Sequence, residues 1–331
     1  MTYRPTPERQ GPSAIVLIVV GIALLAVVGF ITALLLSGDG AGTGEATTEP
    51  SPSASAAPAS PTPTPTERPL NEALLGERMT VLVLGVDLNA PREAAGEPRN
   101  TDSIMLVSLS ADQSELSMFS LPRDTVDLPL GNGTTWRDKV NAIEREAGIE
   151  TMVGAMEATF GTPIDAYVQI DMDDLIALVG AVGGVEIDVD KPLSDPPIGL
   201  DLQPGRQELD AETALQYVRT RQDSDYDRAD RQQQVLLALV EKLVDPGADV
   251  DVRAAIESLD SLETDLPLDE LPTLIELARR AQEADVSRQV ARPPDFIVAE
   301  GDIGDGRGYI LQPDLVAIQG WIAEHIGTTG E

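Results

Sequence analysis

Apolar residues follow three regimes along this 331-residue chain. Residues 14–36 (AIVLIVVGIALLAVVGFITALLL) form one apolar run without a charge or a proline. About 20 such residues span a bilayer core, so the run predicts a transmembrane helix with some tilt. Residues 37–78 then turn to Gly, Ser, Thr and Pro, typified by SPSASAAPASPTPTPTE. Such a segment buries too little to offset the entropy of ordering, which predicts a disordered linker, partly in polyproline II. From residue 79 compact β-rich runs alternate with helical periodicity. Strands are predicted at 79–86, 103–109, 115–121, 166–170 and 185–189. Helices are predicted over 139–160, 173–182, 210–217, 228–244, 250–262, 268–284 and 313–326. Asp210 is placed to cap its helix, and Gly183-Gly184 to break the chain before a strand. The clearest helix, 228–244, carries the stripe Val235, Leu236, Leu239, Val240 and Leu243. Strands interleaved with helices predict an α/β sandwich around one sheet, a single domain over 79–326 with a short tail at 327–331.

The flanks of the apolar run orient it. Arg4 and Arg9 precede it, and no Lys or Arg follows before Arg68. That asymmetry predicts a cytoplasmic tail (1–13) and an extracytoplasmic remainder, hence a single-pass protein of the cytoplasmic membrane. A cleaved signal peptide would carry a shorter apolar region, of about 7–15 residues.

Charge and composition narrow the chemistry. The formal net charge of -33 repels nucleic acid, so no nucleic-acid partner is expected. There is no cysteine and one histidine, His325. Disulfides, thiolate metal sites, Ser-His-Asp and Cys-His catalysis are thereby excluded. Catalysis is left to carboxylates, arginines, hydroxyls and a hard cation such as Mg²⁺.

Against this acidic background the stretch YVRTRQDSDYDRADRQQ (217–233) concentrates Arg219, Arg221, Arg228 and Arg231. On a helix beginning near Asp227, Arg228, Arg231 and Gln232 share a face at i, i+3, i+4 spacing. They stand beside a helix N-terminus, which attracts anions, and the planar guanidinium suits phosphate. The interleaved Asp223, Asp225, Asp227 and Asp230 equally permit a solvated salt-bridge network, and spacing alone leaves both readings open. Arg123-Asp124 in FSLPRDT follows a strand directly, where α/β sites commonly form. Arg99 and Asp102 open the preceding strand. The GDIGDGRG stretch (301–308) lacks EF-hand spacing and predicts a glycine-rich turn.

Taken together, RNTDSIMLVSL (99–109), FSLPRDTVDLPL (119–130), KVNAI (139–143), GTPIDAYVQIDM (161–172), VGGVEIDV (182–189) and LQPGRQELDAETALQYVRTRQDSDYDRADRQQQVL (202–236) resemble the LytR-CpsA-Psr family, in the family's order. The resemblance implies an α-β-α sandwich around a central mixed sheet. It implies a phosphotransferase that moves an anionic glycopolymer from a polyprenyl-pyrophosphate carrier to a cell-wall acceptor such as peptidoglycan. Carried over by position, Arg99, Arg123, Arg219, Arg221, Arg228, Arg231 and Gln232 would bind the pyrophosphate. Asp102 and Asp124 would lie near Mg²⁺, and Asp225 would activate the acceptor hydroxyl, although each of the three could instead orient arginines. Lys139 matches the family's Lys-x-Asn stretch. The family's lipid cavity between sheet and helices makes Val168, Ile170, Leu175, Val179, Leu236, Leu239 and Val240 candidates for lining it, against the alternative of ordinary core. Hydrolysis with water as acceptor uses the same residues. A non-catalytic envelope sensor is disfavoured by the retained arginine and aspartate set, and a transcriptional attenuator by the acidity, the outside location and the lack of a helix-turn-helix pattern.

Overall fold

The computed structural model describes residues 69–88, 93–96, 98–244, 259, 261–267 and 270–327. The run at 14–36, most of the linker and nearly all of the helix expected at 250–262 lie outside these residues.

Nine principal strands are β1 (Met79–Val86), β2 (Thr101–Leu109), β3 (Glu115–Ser120), β4 (Ala166–Ile170), β5 (Val185–Val189), β6 (Gly205–Leu209), β7 (Asp285–Val290), β8 (Ile297–Asp302) and β9 (Tyr309–Pro313). The longer helices are α1 (Ile149–Phe160), α2 (Met172–Ala181), α3 (Ala211–Arg219), α4 (Asp225–Val244), α5 (Leu271–Arg280) and α6 (Leu315–His325). The central sheet runs in the order Glu263–Thr264, β4, β1, β2, β3, β7. It is mixed: β1 is antiparallel to β2 and parallel to β4, β2 is antiparallel to β3, and β3 is parallel to β7.

Side-chain alternation divides each central strand between two cores. From β1, Val81 and Val83 face α4 and α5 through Leu236, Leu237, Val240, Leu274 and Leu277. Leu82 and Leu84 face α1 and α6 through Met152, Met156, Phe160, Ile318 and Ile322. Both faces are covered, which explains why β1 and β2 read as continuous apolar runs. On the α1–α6 face Phe119 is fully buried, with ring centroids 5.8 Å from Phe160, 5.4 Å from Phe296 and 5.2 Å from Trp321.

A third core explains the apolar breadth of α4. Val235, Ala238, Leu239 and Leu243 pack against α2, α3 and the β5–β6 hairpin, on the side of α4 turned from the sheet. The helix therefore buries two faces, and Leu237 and Ala238 join the predicted stripe. Its first half is fixed by polar contacts: Gln233 Nε2 donates to Ser120 Oγ at 2.8 Å and to the Gln289 carbonyl at 3.1 Å.

Several expectations require correction. The linker does not extend to residue 78, because a short helix at Glu72–Leu75, capped by Asn71, buries Leu75 in the core. The helix expected over 139–160 is interrupted at Gly148, whose φ of 84° no ordinary helical residue adopts. Helix α4 begins at Asp225, earlier than expected, because Ser224 Oγ accepts the Asp227 N–H at 3.0 Å and caps it. Strands β6 to β9 were not anticipated. The expected glycine-rich turn forms the tip of the β8–β9 hairpin, where Gly304, Gly306 and Gly308 all have positive φ.

Truncation of Phe119 to alanine is expected to cost about 3–5 kcal/mol, since three aromatic neighbours lose their shared partner. Urea denaturation should show the midpoint fall.

Candidate functional site

The site is assembled where β1, β2 and the segment after β3 meet the turn between α3 and α4. Along the β1–β2 ladder the register steps from Gly85–Ser103 to Val86–Thr101, so Asp102 opposes no residue of β1. Such a bulge re-aims a side chain, and here Asp102 and Ser103 both line one cavity. Gly85 permits it: a Cβ at that position would lie 2.9 Å from Ser103 Cβ.

Beyond β3, the Pro122 carbonyl accepts the Thr125 N–H at 3.1 Å and closes a turn that presents Arg123 and Asp124. Arg123 Nη1 donates to Asp102 Oδ2, and Arg123 Nε lies 3.8 Å from carboxylate oxygens of both Asp124 and Asp225. Lys139 Nζ sits 2.7 Å from Asp124 Oδ1. The stretch carrying this lysine is tied to the same turn, since the Val140 N–H reaches the Thr125 carbonyl at 2.8 Å.

From the other side come Arg219 at the end of α3, Arg221 in the turn, and Arg228 and Gln232 on α4, all lining the cavity. Buried Asp195 orients the turn by accepting Thr220 Oγ1 at 2.7 Å and Gln222 Nε2 at 3.1 Å. Arg221 Nη2 approaches Asp102 Oδ2 to 3.4 Å, and Arg228 Nη1 approaches Asp225 Oδ1 to 3.3 Å.

The cavity, of about 240 Å³, is polar at this end and apolar elsewhere. Its apolar walls include Val83, Met105, Ile170, Leu175, Val218 and Leu236. It therefore lies between the sheet, α4 and the α2–α3 pair. Of the other residues considered for lipid contact, Val168 and Val240 pack in the sheet–α4 core, and Val179 and Leu239 in the third core.

The polar end is electrostatically incomplete. Asp102 Oδ1, Arg123 Nε and Arg228 Nε are buried and lack hydrogen-bond partners. Buried polar atoms in folded proteins are almost always paired, so three orphans in one cluster mark a place for a ligand. Burial pushes the Arg228 guanidinium below its ordinary pKa; Asp225 opposes that shift, while the like charges of Arg123 and Arg221 add to it. An anion between these arginines would relieve the repulsion and engage the unpaired N–H groups.

Not every expected residue joins the cluster. Arg231 points away from the cavity, and its guanidinium is spent on the protein itself. Nε donates to the Tyr217 carbonyl at 2.8 Å, Nη2 to the Thr220 carbonyl at 2.7 Å, and Nη1 lies 2.7 Å from Asp223 Oδ2. Burial pushes the Asp223 carboxyl upward, but Arg231 outweighs it and holds that carboxyl below the usual range. Arg231 is a clasp for the α3–α4 turn, which corrects its expected role in pyrophosphate contact. Arg99 instead pairs with Glu263 at 3.0 Å and does not line the cavity.

The LytR_cpsA_psr family model matches residues 49–298, well over half of the chain. The chain belongs to the LytR_cpsA_psr family. Among curated relatives, the polyisoprenyl-teichoic acid–peptidoglycan teichoic acid transferase TagV of Bacillus subtilis is 27% identical over 76% of this chain and 65% of its own length. The TagU transferase of Enterococcus faecalis is 31% identical over 59% of this chain and 64% of its own. The probable cell wall biosynthesis protein LcpB of Corynebacterium glutamicum is 40% identical over 44% of this chain and 35% of its own. The matches thus span less than two thirds of each of these relatives. The crystal structure of B. subtilis TagV superposes with a TM-score of 0.62 at 24% identity, covering 77% of this chain and 99% of that one. A structure of TagT bound to LI-WTA gives 0.58 at 24% identity, covering 78% and 92%. At these identities the likeness is one of fold, and the LytR_cpsA_psr sandwich is the fold described above.

Sequence reasoning missed the bulge at Asp102, the Lys139–Asp124 pair and the supporting Asp195. Arg228 and Arg231, three residues apart on one helix, should respond oppositely to replacement. Arg231→Met leaves two carbonyls unpaired and half-buried Asp223 with only Lys191 at 3.3 Å as a cationic partner, and should cost about 1–3 kcal/mol. Arg228→Met removes a buried, repelled cation and should leave stability unchanged or raised. Urea denaturation of the two variants compares them directly.

Proposed function

We propose that this chain is a membrane-anchored phosphotransferase that moves an anionic glycopolymer from a polyprenyl-pyrophosphate carrier to a cell-wall acceptor such as peptidoglycan. The observation that carries this reading is the union of an apolar cavity with a polar mouth of crowded, partly unpaired arginines. A lipid pyrophosphate has that same division, an apolar tail beside a compact dianionic head. The printed names of TagV and TagU, which pair a polyisoprenyl-linked donor with peptidoglycan, support the choice of substrates.

In this mechanism Ile170, Leu175 and Leu236 contact the lipid, while Arg123, Arg219, Arg221, Arg228 and Gln232 hold the pyrophosphate. The acceptor hydroxyl oxygen bonds to the glycan-proximal phosphorus as that phosphorus loses its bond to the lipid phosphate, which departs with the electron pair. Such transfers depend on positioning and charge stabilisation more than on a protein nucleophile. Asp225 is the fitting acceptor for the hydroxyl proton. Its side chain is 29% exposed, against 13% for both Asp102 and Asp124, and its cations, Arg228 at 3.3 Å and Arg123 at 3.8 Å, stand farther off than Lys139 does from Asp124 at 2.7 Å.

Two carboxylates with phosphates and water make a suitable donor set for Mg²⁺. Asp102 Oδ1 has no hydrogen-bond partner, and Asp124 Oδ2 has only the guanidinium 3.8 Å away, so both can turn an oxygen to a cation. When bound there, Mg²⁺ would neutralise charge on the phosphate oxygens. The segment at 14–36 would keep the domain beside its lipid-borne donor, with residues 1–13 in the cytoplasm and the domain outside.

The test supplies the full chain in detergent with a polyprenyl-pyrophosphoryl glycan, Mg²⁺ and peptidoglycan fragments. Covalent glycan on the fragments is expected, falling by about 10²–10³ in Arg123→Ala and Arg221→Ala, the range seen when one charge-stabilising donor is removed. Undiminished transfer by both variants would sink the assignment. Transfer that survives EDTA would remove the cation, and free glycan phosphate as the sole product would replace transfer with hydrolysis.

A further inference from the structure

The side of the site opposite the lipid cavity is walled by the β8–β9 hairpin. Strand β9 is stitched to the catalytic turn: the Leu311 N–H donates to the Asp124 carbonyl at 3.0 Å, and the Val126 N–H to the Leu311 carbonyl at 3.0 Å. At the tip, Arg307 Nη1 lies 3.3 Å from Asp127 Oδ1 and also donates to the Arg137 carbonyl. The hairpin is therefore held at both ends against the segment that carries Arg123 and Asp124.

This wall has a definite chemistry. Tyr226, the residue after Asp225, donates its hydroxyl to Glu300 Oε2 at 2.7 Å. Tyr309, opposite Asp302 in the hairpin, is 51% exposed. Burial, the Glu300 carboxylate and the charges of Asp124 and Asp225 keep its phenol protonated above the ordinary range. An exposed ring on a pinned strand, an exposed carboxylate and a neutral phenol thus lie together beside the reacting carboxylates.

The geometry of the reaction says what should bind there. In-line displacement places the incoming hydroxyl and the departing lipid phosphate on opposite sides of phosphorus. The lipid cavity draws on the core that faces α4 and α5, through Val83, Met105 and Leu236. The hairpin draws on the opposite core, through Ile297 and Leu311. A leaving group directed into the cavity leaves the hairpin side for the nucleophile.

We propose that Tyr309, Glu300 and Tyr226 form the acceptor subsite, with the ring of Tyr309 stacked on the C–H face of a pyranose in the acceptor glycan and Glu300 accepting hydrogen bonds from its non-reacting hydroxyls. This rests on the phosphotransferase reading and extends it to the residues that hold the second substrate. Aromatic rings supply large apolar area, and a few placed polar groups then fix orientation. Tyr226 lies within the family match, which ends at residue 298, and Glu300 and Tyr309 lie just beyond it.

The test measures binding of the full chain in detergent to two probes, a soluble uncross-linked peptidoglycan glycan strand and a polyprenyl pyrophosphate. Tyr309→Ala should weaken glycan-strand binding roughly tenfold, the worth of one lost ring face. Tyr309→Trp should retain it, Glu300→Gln should weaken it, and all three should bind polyprenyl pyrophosphate as the parent does. Because Tyr309 is half exposed, its truncation leaves the core intact, and retained pyrophosphate binding verifies the fold. Glycan-strand binding that is equal in parent and Tyr309→Ala, or absent from the parent, overturns the subsite. A parent that binds the glycan strand but no polyprenyl pyrophosphate overturns the donor reading, and with it the in-line argument.

Discussion

One buried guanidinium, Arg228, crowded by two others at its side, sets the electrostatics of the site. Arg228 is withdrawn from water on a helix that the fold cannot move, and Arg123 and Arg221 add charge of the same sign. Asp102 and Asp225 neutralise part of this charge, but their geometry leaves N–H groups unpaired. A protein optimised only for stability would fill such a place with hydrocarbon. That this chain keeps it is intelligible as preorganisation, in which the cost of gathering positive charge is met during folding rather than at the moment of reaction.

Helix α4 joins the three parts of the structure. Its sheet-facing residues complete the main core, its opposite face completes the third, and its first turns carry the arginines. Gln233 and the Ser224 cap fix where those first turns fall. The bulge in β2 supplies the complementary adjustment from the sheet, bringing Asp102 to meet them. Neither partner reaches its position by secondary structure alone; each needs one local irregularity at the boundary of a regular element.

Legibility from the sequence followed the strength of the physical signal. Strands β1, β2 and β4 were plain because burial on both faces makes them apolar throughout. Strand β7 was not, since it carries Arg288 and Gln289 at an edge of the sheet, where polar side chains are tolerated. The arginines and aspartates of the site were visible as types and as a family pattern. Their directions were not. Arg228 and Arg231 share a helical face at ideal spacing, yet the second turns aside because two carbonyls and Asp223 saturate its long, flexible side chain. A helix start set by Ser224 and a ladder slip at Gly85 are register effects that leave no periodic trace.

The apolar cavity has a consequence for the domain as a material. It is a gap of about 240 Å³ set between two well-packed cores, bordered by residues such as Leu236 that belong to one of them. A hydrocarbon chain entering it would supply the dispersion contacts the walls lack, and so behave as a removable piece of interior. Lipid affinity and folding stability are then two readings of one free energy. Under the proposed transfer the loaded domain would be the stiffer solid, and each release of lipid phosphate would return it to a softer one.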